Sequence, residues 1–130
     1  MKKISLATIF TFVITLAEAQ NYIAPPEISL CDLETENVTV ENFTDCGKLL
    51  VDQAEWILKR FRVVYKVGDD LIMRDSENNE LPKGFLKDLP KIQTGSNIYI
   101  EHILLTNSEE DTLHSGILNF KLIDNQQESD

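Results

Sequence analysis

The chain has little of what most chemistry and most nucleic-acid recognition need. Its 130 residues include two histidines, two cysteines and one tryptophan, and 12 lysines and arginines are outnumbered by 22 aspartates and glutamates. The shortage of positive charge argues against a nucleic-acid binder, which needs a basic face to meet phosphate. It also argues against anchoring on anionic lipid. No further Cys or His stands at ligand spacing from Cys31 and Cys46, so no structural metal centre is expected. An aromatic content of 8% leaves little from which to build a stacking platform for sugars. There is no internal repeat and no heptad run.

Long apolar runs are also missing, with one short exception. "MKKISLATIFTFVITLAEA" has Lys2 and Lys3 at its start, an apolar run from Ile4 to Ala17, and small residues at Ala17 and Ala19. That is the three-part layout of a secretory signal peptide, cleaved before Gln20. The run falls short of the ~20 apolar residues that an anchor requires. A lipoprotein is not indicated, because Cys31 is distant and Ile28-Ser29-Leu30 is no small-residue lipobox. Loss of residues 1–19 takes away Lys2, Lys3 and Glu18, leaving 10 basic and 21 acidic residues and a balance of −11. We expect a periplasmic or secreted protein with no stable membrane insertion after cleavage.

Residues 20–130 make one domain, large enough to bury a core without metal or a dense disulfide framework. In an exported chain, Cys31 and Cys46 are expected to form one disulfide rather than two free thiols. Closing a loop of that length stabilises by roughly 3 kcal/mol in the chain-entropy model.

Along the chain, 20–26 reads as an extended leader and 124–130 as a flexible polar tail. "EISLCDL" (27–33) and "NVTVENF" (37–43) read as short β-branched strands. "DCGKLLVDQAEWIL" reads as a loop or short helix running into a strand. "KRFRVVYKV" (59–67) alternates cleanly: Phe61, Val63, Tyr65 and Val67 point one way, and Arg60, Arg62, Val64 and Lys66 form a wet, basic outer face. Gly68-Asp69-Asp70 supplies turn chemistry before a short strand, "LIMRD". "LPKGFLKDLP" reads as one or two helical turns between prolines. "ILNFKLI" is a last strand, joined to the preceding one by the polar loop "SEEDTLHSG".

"GSNIYIEHILLTN" (95–107) breaks the alternation, because both faces of a straight strand would be mostly apolar. A β-bulge at Glu101-His102 would turn Ile98, Ile100, Ile103 and Leu105 inward and leave Tyr99 and Leu104 outside. The competing solution is a straight strand whose second face is covered by the 82–89 turns or by another molecule.

The block from Lys59 to Ile123 resembles the C-terminal domain of the gliding-motility and type IX secretion proteins GldM and PorM. Gly95, Ile98, Ile100, Glu101 and Ile103 carry most of the likeness, which covers about half of the chain. The resemblance implies a free-standing exported relative of that domain: an immunoglobulin-like β-sandwich, without catalysis, near a secretion machine. The tip "NSEEDT" departs from the Gly-containing turn of the family, and the residues before 56 match nothing in it.

Chemistry is hard to assemble from what remains. His102 stands beside Glu101, but neighbours on a strand point to opposite faces unless a bulge turns them together. His114 adjoins Ser115 and lies near Asp111, without the orienting group and oxyanion hole that a triad needs. The acids at Glu109-Glu110-Asp111 and from Asp75 to Glu80 lack EF-hand spacing and read as solvated loops. "NVT" and "NFT" are glycosylation acceptors only in a eukaryotic secretory path. Trp56 reads as a core plug, with an interface anchor as the rival.

The sequence therefore predicts an all-β chain: an immunoglobulin-like β-sandwich with one short helix, no cofactor and no enzyme activity. It is read as an interaction module for a protein partner in the cell envelope. Its candidate binding residues are Tyr99 and Leu104 on the outer face and Glu109, Glu110, Asp111 and His114 at the hairpin tip. The alternative is a secreted inhibitor, with a rigid protruding loop, or a ligand- or glycan-binding module.

Overall fold

The computed structural model describes residues 25–31, 33 and 36–124. The expected signal peptide (1–19), most of the leader (20–24) and the tail (125–130) lie outside the described residues. The elements in chain order are β1 (Ile28–Leu30), β2 (Asn37–Val38), α1 (Val40–Cys46), β3 (Leu49–Val51), β4 (Ile57–Val67), β5 (Asp70–Ser76), α2 (Lys83–Asp88), a 3-10 turn (Leu89–Lys91), β6 (Asn97–Thr106), β7 (Thr112–His114) and β8 (Leu118–Leu122).

The fold is an all-β sandwich of unequal layers. The large sheet runs β2-β8-β6-β4-β5, with β7 also paired to β6. All neighbours in it are antiparallel except β2 and β8. The small sheet is the antiparallel pair β1-β3. It contributes Ile28, Leu30 and Leu49 to the same buried cluster that Phe43 of α1, Phe85 of α2 and the inner face of the large sheet fill. The Phe85 ring meets Phe43 and Tyr65 edge to face, at centroid distances of 5.3 and 5.1 Å. Such edge contacts add to plain burial because ring edges are positive and ring faces negative.

β4 behaves as its alternation requires. Phe61, Val63 and Tyr65 are buried, and Arg60 and Lys66 are exposed. A two-residue turn, with Gly68 at φ 62°, folds β5 back so that Val67 faces Asp70. A positive φ there is open to glycine at no steric cost.

β6 contains the bulge. Between the pairs Arg62↔Glu101 and Arg60↔Leu104, β4 advances two residues and β6 three. The extra residue is His102, in the left-handed region at φ 53°. Ile98, Ile100, Ile103 and Leu105 all face the core and are fully buried. β4 answers with its own irregularity between Leu58 and Arg60, which keeps Leu58 inward. The bulge resolves the doubled apolar pattern, leaving Tyr99 39% exposed and Leu104 half-buried on the other face.

Three expectations change. Residues 37–43 are not one strand: after two residues of β2 the chain enters α1, the second short helix. Thr39 caps it, its hydroxyl accepting from the Asn42 N–H at 3.1 Å while Asn42 Oδ1 accepts from the Thr39 N–H at 3.0 Å. Gly47 closes it at φ 69°. A capping box of this kind contributes about 1 kcal/mol, enough to outweigh the β preference of three β-branched residues in a row. Next, the loop "SEEDTLHSG" contains a strand, because Thr112–His114 pairs with Thr106–Leu104. Finally, Trp56 is half-buried at the rim of the core rather than plugged between layers.

Cys31 and Cys46 form a disulfide, with Cα atoms 5.9 Å apart, tying the end of β1 to the end of α1. No helix among the described residues is long and apolar enough to cross a membrane.

Candidate functional site

The uncovered face of the large sheet gathers the side chains that the fold does not use internally. Register places Met73 of β5 beside Val64 of β4, and Val64 beside Tyr99 of β6. Leu71 stands next to Met73 on the same face of β5. Leu71 is 58%, Met73 54% and Tyr99 39% exposed, so this strip is an apolar patch open to water. One row further along, Arg62 lies between Asp75 and Glu101. Arg62 Nε donates to Asp75 Oδ1 at 2.8 Å and Nη2 donates to Oδ2 at 3.4 Å. This hydrogen bonding holds the Asp75 carboxyl below the usual carboxylate range, with the charges of Arg62, His102 and Arg60 acting in the same direction.

Beyond that row the bulge opens an open hollow of about 330 Å³, lined by Arg60, Arg62, Asp75, Glu77, His102 and His114. The two histidines of the chain thus meet here. The bulge turns His102 back on its neighbour, and Nε2 lies 3.6 Å from Glu101 Oε1. β7 brings His114 opposite Leu104. A histidine–carboxylate pair moves a proton only for a group held within reach. The nearby Ser76 hydroxyl is committed to the turn that follows it, donating to the Glu80 carbonyl at 2.7 Å. Among the described residues no three His, Cys, Asp or Glu side chains converge as a metal site.

The residues singled out from sequence do not form one site. Tyr99 lies in the apolar strip. Leu104 is half-buried beside Arg60 and His114, two residues that line the hollow. The tip lies beyond the end of β6, roughly 23 Å from Tyr99 at the rise of a strand. Asn107 holds it: its Oδ1 accepts from the backbone N–H of Glu109 and of Asp111, each at 3.0 Å, and its Nδ2 donates to Asp111 Oδ2 at 3.2 Å. Asp111 is therefore turned to Asn107, not to His114. Of the two glycosylation-like sequons, Asn42 is the capping partner of Thr39. Sequence reasoning missed Leu71 and Met73, though both stand in the alternation of "DLIMR" on the face shared with Val64. It missed the hollow because its lining comes from four strands and a turn.

The inner face carries a contrasting cluster. The Tyr65 hydroxyl, buried, donates to Asp88 Oδ2 at 2.6 Å, and Arg74 donates through Nε to the Tyr65 oxygen at 3.3 Å and through Nη2 to Asp88 at 3.4 Å. Gly84 makes room for the arginine: a Cβ there would stand 3.0 Å from Arg74 Cζ and Nε. The cluster pins α2 to the sheet.

Compared with models of known protein families and with curated proteins, the chain matches none.

Proposed function

We propose that this chain is an exported, non-catalytic protein-interaction module that receives a protein partner on the outer face of its large sheet. One observation carries the reading: the apolar strip Leu71–Met73–Val64–Tyr99 lies uncovered beside the charged row Asp75–Arg62–Glu101 and the hollow of Arg60, His102 and His114. An apolar patch rimmed by charge is the usual composition of a protein contact surface. Export is supported by the signal-peptide pattern of 1–19 and by a disulfide, which persists in oxidising compartments. The resemblance to the GldM and PorM tip supports a search among secretion-machine components first. It rests on Gly95, whose N–H donates to the Leu122 carbonyl at 2.7 Å, on Ile98, Ile100 and Ile103, which lie in the core, and on Glu101, which pairs with Arg62 on the outer face. All but Glu101 speak for architecture rather than for a partner.

The test places a photo-crosslinking residue at Tyr99 or, as control, at Lys87 on the opposite layer, in the chain exported in its native envelope. Adducts with a defined protein from position 99 and none from 87, lost in a Met73→Lys background, support the reading. A folded, exported chain giving no adduct at 99, or the same adducts at both positions, rejects it. A second reading, a secreted inhibitor, is favoured by the acidic tip that Asn107 holds in shape. In that case a short Gly-Ser replacement of 108–110 abolishes binding while Tyr99 variants leave it intact.

A further inference from the structure

We propose that two copies of this chain join through the open edge of β5, antiparallel about a two-fold axis at Ile72. β5 is the last strand of its sheet, and no other strand pairs with its far side among the described residues. The two-residue turn closes on the pair Val67↔Asp70, so the ladder directs the backbone groups of Asp70, Ile72 and Arg74 toward β4. Those of Leu71, Met73 and Asp75 therefore face outward, as an unsatisfied template for another strand.

The sequence of this edge is complementary to itself. Centred on Ile72, "DLIMR" sets Leu71 against Met73 of the second copy and Asp70 against its Arg74, and the outward backbone groups of Leu71 and Met73 meet as hydrogen-bonded pairs. Both apolar residues lie on the outer face. Asp70 and Arg74 lie on the inner face, where the Asp70 side chain has no ion pair among the described residues and Arg74 keeps Nη1 uncommitted. Registers centred further along β5 are worse. Centring on Met73 sets Leu71 against Asp75 and Ile72 against Arg74; centring on Arg74 sets two guanidinium groups face to face. Like charges directly opposite are destabilising, and opposite charges and apolar pairs stabilise. The joined sheets continue the strip Tyr99–Val64–Met73 into Leu71 of the second copy, so the apolar patch is doubled. A contact of five residues per chain in an acidic protein makes the dimer reversible and concentration-dependent. The inference stands on β5 alone, whichever partner the outer face takes.

The test is sedimentation equilibrium of the chain purified after export, over a wide concentration range, with three variants. Wild type should pass from monomer to dimer. Met73→Pro, which removes an outward N–H that β4 does not use, and Leu71→Lys, which alters only an exposed side chain, should remain monomeric with unchanged circular dichroism. Ile72→Cys should form a dimer-sized disulfide on a non-reducing gel, because non-hydrogen-bonded antiparallel partners stand about 4.5 Å apart, within disulfide range. A wild type that is monomeric throughout overturns the proposal. So does a dimer that survives both Leu71→Lys and Met73→Pro, or one that Ile72→Cys does not lock.

Discussion

Arg74 and Asp75 are neighbours on β5, yet they belong to different kinds of electrostatics. Arg74 turns inward and meets a buried tyrosine and Asp88 under α2. Asp75 turns outward and meets Arg62 on a wet face, at a shorter distance and with two hydrogen bonds. The outer pair has the better geometry, and we expect it to matter less for folding. Water screens exposed pairs and solvates either partner when the other is lost, so they stabilise little. Inside, Arg74 still reaches water, but Tyr65 and Asp88 are buried, and losing a partner strands one of them away from water. The difference separates the two faces by role: the inner one holds the molecule together, and the outer one is free to be selected for contact.

The comparison is tested first by its hydrophobic background. Phe85 is fully buried and joins Phe43 of α1 to Tyr65 of β4. Phe85→Ala should cost about 3–5 kcal/mol in urea unfolding, the range for removing a buried aromatic. A cost below ~1 kcal/mol would mean that α2 is not part of the cooperative core.

Tyr65→Phe comes next. It removes the donor to Asp88 and should cost about 1–2 kcal/mol. Asp88 also predicts the acid limb. The hydrogen bond from Tyr65 holds its carboxyl below the usual aspartate range, with the bond from Arg74 and the charges of Arg74 and Lys91 assisting and burial opposing. A group whose folded pKa is lowered contributes stability that is present above its unfolded value, near pH 4, and lost as pH falls through the folded value. Urea midpoints measured from pH 5 downward should therefore fall less steeply in Asp88→Asn than in wild type. Equal slopes would show that the acid limb belongs to other carboxylates.

The sequence made local patterns legible and left contacts across the sheet hidden. β4, its turn into β5 and the proline-bounded α2 are written in short-range signals, and even the bulge could be placed because two mismatched apolar sets shared one strand. α1 was not legible, since Val38-Thr39-Val40 has strand composition and only the reciprocal bond between Thr39 and Asn42 reverses it. The hollow was not legible because His102 and His114 meet through the return of β7, which no local pattern announces. Tyr99 and Leu104 were assigned to the outer face by the bulge, but Val64 and Met73 beside Tyr99, and Arg60 and His114 beside Leu104, emerge only from register.

The bulge supplies the third test. His102 stands at φ 53°, where a β-branched side chain is strained. By strand propensity His102→Val should help; by backbone conformation it should cost about 1–2 kcal/mol. His102→Gly, which meets no such strain, should be close to neutral, its added chain entropy offsetting the relief. A stable Val variant would mean that the strand can lose its bulge. Ile103 and Leu105 would then have to leave the core or the register with β4 would have to move, and amide exchange at Ile103 would report it.

The smallest expected effect decides whether the outer face is free. Arg62→Ala breaks both bonds to Asp75 and leaves two carboxylates, Asp75 and Glu101, flanking an empty place on the sheet. Each remains reachable by water, so the urea midpoint at neutral pH should not move, and neither should its salt dependence by much. Binding to an outer-face partner is a separate quantity and should respond, because the variant removes the one positive charge from the row beside the apolar strip and leaves it wholly negative. If Arg62→Ala instead costs as much as Tyr65→Phe in a dilute monomer, water does not screen the Arg62–Asp75 pair in solution. The contrast between the two sides of β5 would then fail. If the cost grows only as protein concentration rises, the face is being covered by association, and Arg62 reports that cover rather than the fold.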